Sequence, residues 1–93
     1  MARKPPDLER GERIAELIAD RGYDLHGGMT RLAKEVGVER AAVYRWKAGE
    51  EMNFANLERL ATALRTSITW IMKGTGPKHP PAELLPDPGR ADD

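Results

Sequence analysis

Residues 32–49, LAKEVGVERAAVYRWKAG, decide the fold that this sequence predicts. Ala33 is expected where two short helices cross, because a larger side chain would push them apart. Gly37 follows at the turn, where a left-handed backbone favours glycine. Val43 and Trp46 lie one helical turn apart and are predicted to anchor the second helix to the core. The stretch therefore predicts two short helices joined by a tight turn.

The spacing of these four residues carries a functional prediction as well. Small, glycine, apolar and apolar residues at offsets 0, 4, 10 and 13 are typical of a helix-turn-helix that reads DNA. Because any corner between two helices uses alanine, glycine and valine, a purely structural corner is the alternative reading of the same pattern.

Further helices are predicted on both sides of this pair. Asp7, Asn53 and Ser67 are candidate N-caps, because their side chains can accept hydrogen bonds from the open amides of a first turn. Apolar residues at three- and four-residue spacing predict five helices, at about 8–21, 29–36, 40–47, 54–65 and 68–72. The predicted core comprises Ile14, Leu17, Ile18, Leu32, Ala33, Val36, Val43, Trp46, Phe54, Leu57, Leu60, Ala61, Leu64 and Trp70, with Arg21 at the edge of the first stripe. No alternating strand pattern occurs, so the predicted fold class is all-α.

Composition excludes several classes of protein. A chain of 93 residues has room for one small domain. No stretch approaches the roughly 20 apolar residues of a membrane span, and no apolar run follows the basic start to make a signal peptide. The absence of cysteine excludes a disulfide framework and fits a cytoplasmic protein. No nucleophile–base pair stands out and the two histidines lie far apart, so we predict no enzyme, no metal site and no cofactor.

Charge is unevenly distributed along the chain. Residues 1–78 hold 14 basic and 11 acidic side chains, net +3, whereas residues 79–93 are net −3. Five of the seven prolines fall within 75–93, which is predicted to be an extended acidic tail or linker. The predicted organisation is therefore an N-terminal arm over 1–7, a helix-turn-helix domain over 8–74, and this tail. A mildly basic body can contact phosphate locally.

Two longer segments carry a resemblance to a known family. RLAKEVGVERAAVYRWKAG at 31–49 and NLERLATALRTSITWIMKGTGP at 56–77 are together similar to the lambda-repressor-like, Xre-type helix-turn-helix family. The five-helix domain of that family ends in Ser-x-x-Trp-Leu-x-x-Gly, here Ser67 to Gly74. The resemblance implies a transcriptional regulator that binds double-stranded DNA sequence-specifically. We expect a phage or bacterial repressor that acts as a homodimer on a near-palindromic operator.

The resemblance also implies which residues face DNA. It places Arg40, Ala41, Tyr44 and Arg45 on the outward face of the recognition helix. Arginine can contact guanine O6 and N7 together, whereas the alternative for Arg40 and Arg45 is a solvated side chain paired with Glu35 or Glu39. Ala41 suits a thymine methyl group or is simply a good helix former. Tyr44 suits a phosphate or base edge, or packs on a neighbouring helix.

A second set of residues is predicted to contact phosphate. Met29 stands where the family usually has a phosphate-binding glutamine, and the free amides at that helix start can still hold a phosphate. The other phosphate candidates are Thr30, Arg31, Lys47 and Asn56, each of which also has an ordinary surface or helix-end role. Arg3, Lys4 and Arg10 are candidates for a basic arm or are merely solvated.

The sequence departs from the family pattern in three places, and the two glutamates among them, together with the zero net charge of the chain, favour a rival function. The loop over 22–32 is about four residues longer than usual, Met29 replaces the glutamine, and Glu50 and Glu51 follow the recognition helix where relatives often have basic residues. The rival is a protein-interaction module of the same fold, such as an antitoxin-like or polymerase-binding adaptor, whose acidic tail docks on a protein partner. For a dimer, the available apolar surfaces are 68–72 and the pair Leu84 and Leu85.

Overall fold

The computed structural model describes residues 5–80, and within that range it contains five helices and no strand. The helices are α1 (Leu8–Asp20), α2 (Gly28–Val36), α3 (Arg40–Lys47), α4 (Phe54–Ala63) and α5 (Ile68–Lys73). The predicted all-α, five-helix class is confirmed. The predictions for Arg3, Lys4 and the segment 81–93, which includes Leu84 and Leu85, lie outside the described residues.

Polar side chains begin three of the helices, as predicted. The Asp7 carboxylate accepts a hydrogen bond from the Arg10 amide at 3.0 Å at the start of α1. Asn53 caps α4 through a 2.7 Å bond from the Asn56 amide, and the Ser67 hydroxyl accepts from the third residue of α5 at 3.0 Å. Each cap satisfies an amide that has no partner inside its own helix.

All five helices end on a residue with left-handed backbone. At α1, α2, α3 and α5 this residue is a glycine, namely Gly22, Gly37, Gly49 and Gly74, and for Gly37 the left-handed turn was predicted. At α4 it is Arg65, with φ 57°. The Arg65 amide donates to the Thr62 carbonyl and the Thr66 amide to the Ala61 carbonyl, the Schellman pattern of a helix end. This turn ends α4 two residues earlier than predicted.

All five helices contribute to the core: α3 packs against α1 and α2, α4 packs against α2, and α5 packs against α1 and α4. Most of the predicted core residues are buried, including Ile14, Leu17, Leu32, Val43, Trp46, Leu60 and Leu64. The prediction for Phe54 was wrong, because this side chain is 62% exposed. Phe54 is the first residue of α4, one turn ahead of Leu57, where burial of that helix begins. Trp70 is only partly buried, and Arg21 is exposed at the end of α1.

The chain after α5 returns to α1. The Thr66 hydroxyl donates to the Lys78 carbonyl at 2.6 Å, and Thr66 itself is fully buried. The Lys78 ammonium lies 2.7 Å from the Asp20 carboxylate and 3.2 Å from that of Glu16, while the His79 ring nitrogen lies 3.1 Å from Asp20. Hydrogen bonds from Lys78 and His79 lower the pKa of the Asp20 carboxyl. The last described residues are therefore held against the end of α1.

Candidate nucleic-acid interface

Helix α3 has one buried face and one open face. Ala42, Val43 and Trp46 point into the core, which fixes the rotation of the helix. The four predicted base-reading residues are all exposed: Arg40, Ala41, Tyr44 and Arg45. With 100° per residue, Arg40 and Arg45 are about 140° apart around the helix. The open face therefore carries two exposed guanidinium groups.

The structure brings several predicted site residues together. The Arg40 guanidinium donates to the Thr30 hydroxyl at 3.3 Å, which links the start of α3 to the start of α2. The Lys47 ammonium lies 5.4 Å from the centre of the Tyr44 ring, within the range of a cation–π contact. Candidate base-reading and phosphate-binding side chains therefore lie beside one another on the surface formed by α2 and α3.

The first turn of α2 has no side-chain cap, although its first two residues are buried. Gly27 precedes the helix with a left-handed backbone, and no side chain caps the first turn. The Met29 side chain is only 9% exposed, so a phosphate here would meet the amide of this residue and not its thioether. Thr30 and Arg31 follow and are exposed.

Tyr23 supports α2 from the side. The Arg31 guanidinium lies 5.0 Å from the centre of the Tyr23 ring, and the Tyr23 hydroxyl donates to the Glu35 carboxylate at 2.5 Å. Burial raises the pKa of the Tyr23 phenol, and the bond to Glu35 raises it further. Arg31 therefore has a contact within the protein itself.

Asn56 lies on α4, whereas the other phosphate candidates lie on α2 and α3. It is the third residue of α4, and its backbone amide donates to the Asn53 cap. Glu50 and Glu51 are exposed directly after the recognition helix, so the residues that follow α3 add negative charge to this edge of the surface.

The first turn of α1 holds the end of the recognition helix, which the sequence did not predict. The Asp7 amide donates to the Gly49 carbonyl at 2.9 Å. The Arg10 guanidinium donates to the same carbonyl at 3.0 Å and to the Glu50 carbonyl. Arg10 is only 7% exposed, so the prediction of a basic arm was wrong for this residue. Its side chain points inward because two backbone carbonyls there accept hydrogen bonds from its guanidinium.

Gly11 lets the two helices approach. A Cβ atom on Gly11 would lie 2.4 Å from the Lys47 carbonyl oxygen, far inside van der Waals contact. The signal in the sequence was a glycine in the middle of a predicted helix, where glycine costs about 1 kcal/mol relative to alanine and therefore needs a reason. The reason is the close contact with the end of α3.

Arg13 of α1 binds the end of α5, much as Arg10 binds the end of α3. Its Nε donates to the Ile71 carbonyl at 2.9 Å, and its Nη2 donates to the Met72 carbonyl at 2.9 Å. These carbonyls belong to the last turn of α5, where they have no partner within the helix. Helix α1 thus fixes the ends of both α3 and α5.

Comparison with known proteins agrees with this geometry. Over residues 5–80, none of the helices is long and apolar enough to cross a membrane. Searches of curated proteins and of solved structures gave no significant match. A family model of the Cro/C1-type helix-turn-helix DNA-binding domain matches residues 13–73, a span from the second turn of α1 to the last residue of α5. With the recognition helix and its supporting helices in the arrangement described above, the chain belongs to the family of Cro/C1-type helix-turn-helix DNA-binding domains.

Proposed function

We propose that this protein is a transcriptional repressor of the phage or bacterial type, which binds a near-palindromic operator as a homodimer. The observation that carries the proposal is the open face of α3, where Arg40, Tyr44 and Arg45 are exposed while Trp46 holds the opposite face in the core. Arginine side chains on such a helix suit the guanine edges of the major groove. Thr30 and the amides at the start of α2 suit the neighbouring phosphates.

Two copies are needed because one helix pair reads only one half-site. A symmetric dimer then requires a symmetric operator, with half-sites about one turn of DNA apart or a multiple of it. Helix α5 is the proposed contact surface between the two copies, because Met72 is 38% exposed and Trp70 is only partly buried. Ile71 is fully buried, so Ile68, Trp70 and Met72 are what remains of the apolar surface expected over 68–72.

The test begins with selection of an operator from random duplex DNA. Binding of variants is then measured on that operator and on a scrambled duplex across a salt series. Arg40→Ala and Arg45→Ala should each weaken operator binding by about 1–3 kcal/mol and scrambled binding much less. Lys47→Ala should weaken both duplexes alike and reduce the salt slope by about one unit. Arg59→Ala, which removes an equal charge from α4, is the matched control and should leave binding nearly unchanged.

Equal losses on both duplexes for the two α3 arginines would mean that they hold phosphate and do not read bases. Selection of an asymmetric operator, with a single protomer bound at saturation, would refute the dimer. Operator binding that survives both arginine substitutions would refute α3 as the recognition helix.

A second candidate function, a protein-interaction module of the same fold, is favoured by one observation. Phe54 is 62% exposed, and it follows the exposed Glu50 and Glu51 on the segment between α3 and α4. An exposed aromatic ring that follows two glutamates closely in the chain suits a protein partner better than a phosphate backbone. A chain with this function would show no salt-dependent binding to random duplex DNA, whereas the repressor would show it strongly at low salt.

A further inference from the structure

A recess of about 360 Å³ opens beside the carboxyl-terminal ends of α1 and α4. Three arginines line it, Arg21, Arg59 and Arg65, and its wall also includes Tyr23, Glu35 and Thr62. None of these residues belongs to α3. We call this cavity the arginine recess. Its volume is within the range of pockets that hold small molecules.

The charge of the arginine recess is strongly uneven. Three arginines and a single acidic residue, Glu35, line the recess, and the Glu35 carboxylate already accepts a hydrogen bond from the Tyr23 hydroxyl. Among the residues that the structure describes, Arg21, Arg59 and Arg65 make no ion pair and no side-chain hydrogen bond. Arg10 and Arg13, by contrast, donate hydrogen bonds to backbone carbonyls. Three unpaired cations around one cavity indicate a ligand with negative charge.

The backbone at Arg65 is a second, independent observation. It is the one described residue other than glycine with positive φ, and it occupies the position where the other four helices end in glycine. A side chain there is sterically unfavourable, and such an outlier supports a hypothesis of function when the side chain has a site to serve. The side chain of Arg65 lines the recess. The chain thus tolerates an unfavourable backbone at the position that supplies the third cation.

We propose that the arginine recess binds a small phosphate-bearing molecule. Arg21, Arg59 and Arg65 would hold the phosphate, since planar guanidinium groups match phosphate oxygens in pairs. Thr62 would add a hydroxyl donor. Glu35, on the wall that carries Tyr23, would accept a hydrogen bond from a hydroxyl or amine of the same ligand. A sugar phosphate offers both a phosphate for the arginines and a hydroxyl for Glu35, whereas inorganic phosphate offers only the phosphate.

The experiment is a titration of the full chain with inorganic phosphate and then with ribose 5-phosphate, at constant ionic strength set with chloride. Amide NMR shifts report the site. The amides of 21–23 and 59–66 should shift and saturate, with ribose 5-phosphate binding more tightly than phosphate. Arg65→Gln and Arg59→Gln should each weaken binding at least tenfold. Arg45→Gln, which removes an equal charge from α3, is the matched control and should leave these shifts unchanged.

Arg65→Gly separates binding from folding. Glycine suits the left-handed turn, so this variant should melt at a higher temperature than the natural chain and still lose phosphate binding. A loss of binding that appeared only in variants with lowered melting temperature would overturn the proposal. So would shifts that fail to saturate, or that fall equally in Arg45→Gln and Arg65→Gln.

The acidic residues near the carboxyl end of the sequence, Glu83, Asp87, Asp92 and Asp93, offer a competing source of negative charge. Their joint replacement by the corresponding amides in the full chain distinguishes the two sources. The proposal expects phosphate to bind both chains. Binding that appears only after the four acids are neutralised would identify the chain's own carboxylates as the occupant and overturn the proposal. No DNA is used in these measurements, so their outcome is independent of the proposed repressor function.

Discussion

Replacement of Gly11 by alanine tests whether α1 and the end of the recognition helix touch as closely as the structure has them. In an isolated helix the change should stabilise by about 1 kcal/mol, because glycine is the poorer helix former. Here the new Cβ would lie 2.4 Å from the Lys47 carbonyl oxygen and 3.0 Å from the Gly49 nitrogen. Both are backbone atoms, so no side chain can rotate away.

Overpacking of this kind costs about 1–3 kcal/mol, and a clash with rigid backbone belongs at the upper end. After the gain in helix propensity, we expect Gly11→Ala to lower the free energy of unfolding by roughly 1–2 kcal/mol. For a domain of this size that lowers the melting temperature by roughly 4–16 °C. Operator affinity should fall as well, since relief of the clash pushes the end of α3 outward.

Thermal unfolding followed by circular dichroism measures the effect. Glu12→Ala, at the next and exposed position of α1, is the control and should change stability by less than about 0.5 kcal/mol. A Gly11→Ala chain that melts at a higher temperature would show that helix propensity dominates. The contact between α1 and the end of α3 would then be refuted.

Other perturbations report on the turn and on ionisation. Ala33→Leu should destabilise by about 1–3 kcal/mol, because Ala33 is buried where α2 meets α3, and unchanged denaturant unfolding would contradict this packing. The Tyr23 phenol should titrate above pH 10, as measured by NMR of its ring carbons. Because the folded-state pKa of this phenol is raised, its contribution to the free energy of unfolding is present below pH 10. That contribution is lost as pH rises through the folded-state pKa. The pKa of the Asp20 carboxyl is lowered in the folded state, so this group stabilises the fold above its unfolded-state pKa and stops doing so as pH falls through its folded-state pKa. Lys78→Gln should therefore raise the pH at the midpoint of acid unfolding. An unchanged midpoint would mean that the ion pair does not contribute to stability.

Local patterns in the sequence predicted the elements well because each signal acts within one helix. Asp7, Asn53 and Ser67 each begin a helix by accepting a hydrogen bond from the amide three residues further on, and such a bond needs no distant partner. The periodicity that put Val43 and Trp46 inward also put Arg40 and Arg45 outward. The exposed positions of the candidate site follow from that one rotation, while the roles of those residues toward DNA stay predictions.

Contacts between helices could not be predicted in the same way. Arg10 was expected outside because it is charged, yet the Gly49 and Glu50 carbonyls lie within its reach only after α1 and α3 have packed. Phe54 continues the apolar stripe of α4 and was therefore predicted to be buried. The stripe alone does not show how far the neighbouring helix extends to cover it. The arginine recess joins positions 21, 59 and 65, whose proximity depends on the whole tertiary arrangement.

The two arginine anchors on α1 have a consequence for how the domain opens. Opening of the last turn of α5 would leave the Arg13 guanidinium without the Ile71 and Met72 carbonyls, and release of the segment after α3 would strand Arg10 in the interior. Loss of α1 removes both supports at once. Partial unfolding of any one of these helices is therefore penalised by another, which favours a single cooperative unit. Hydrogen exchange of slowly exchanging amides in α1, α3 and α5 should accordingly report one common opening free energy.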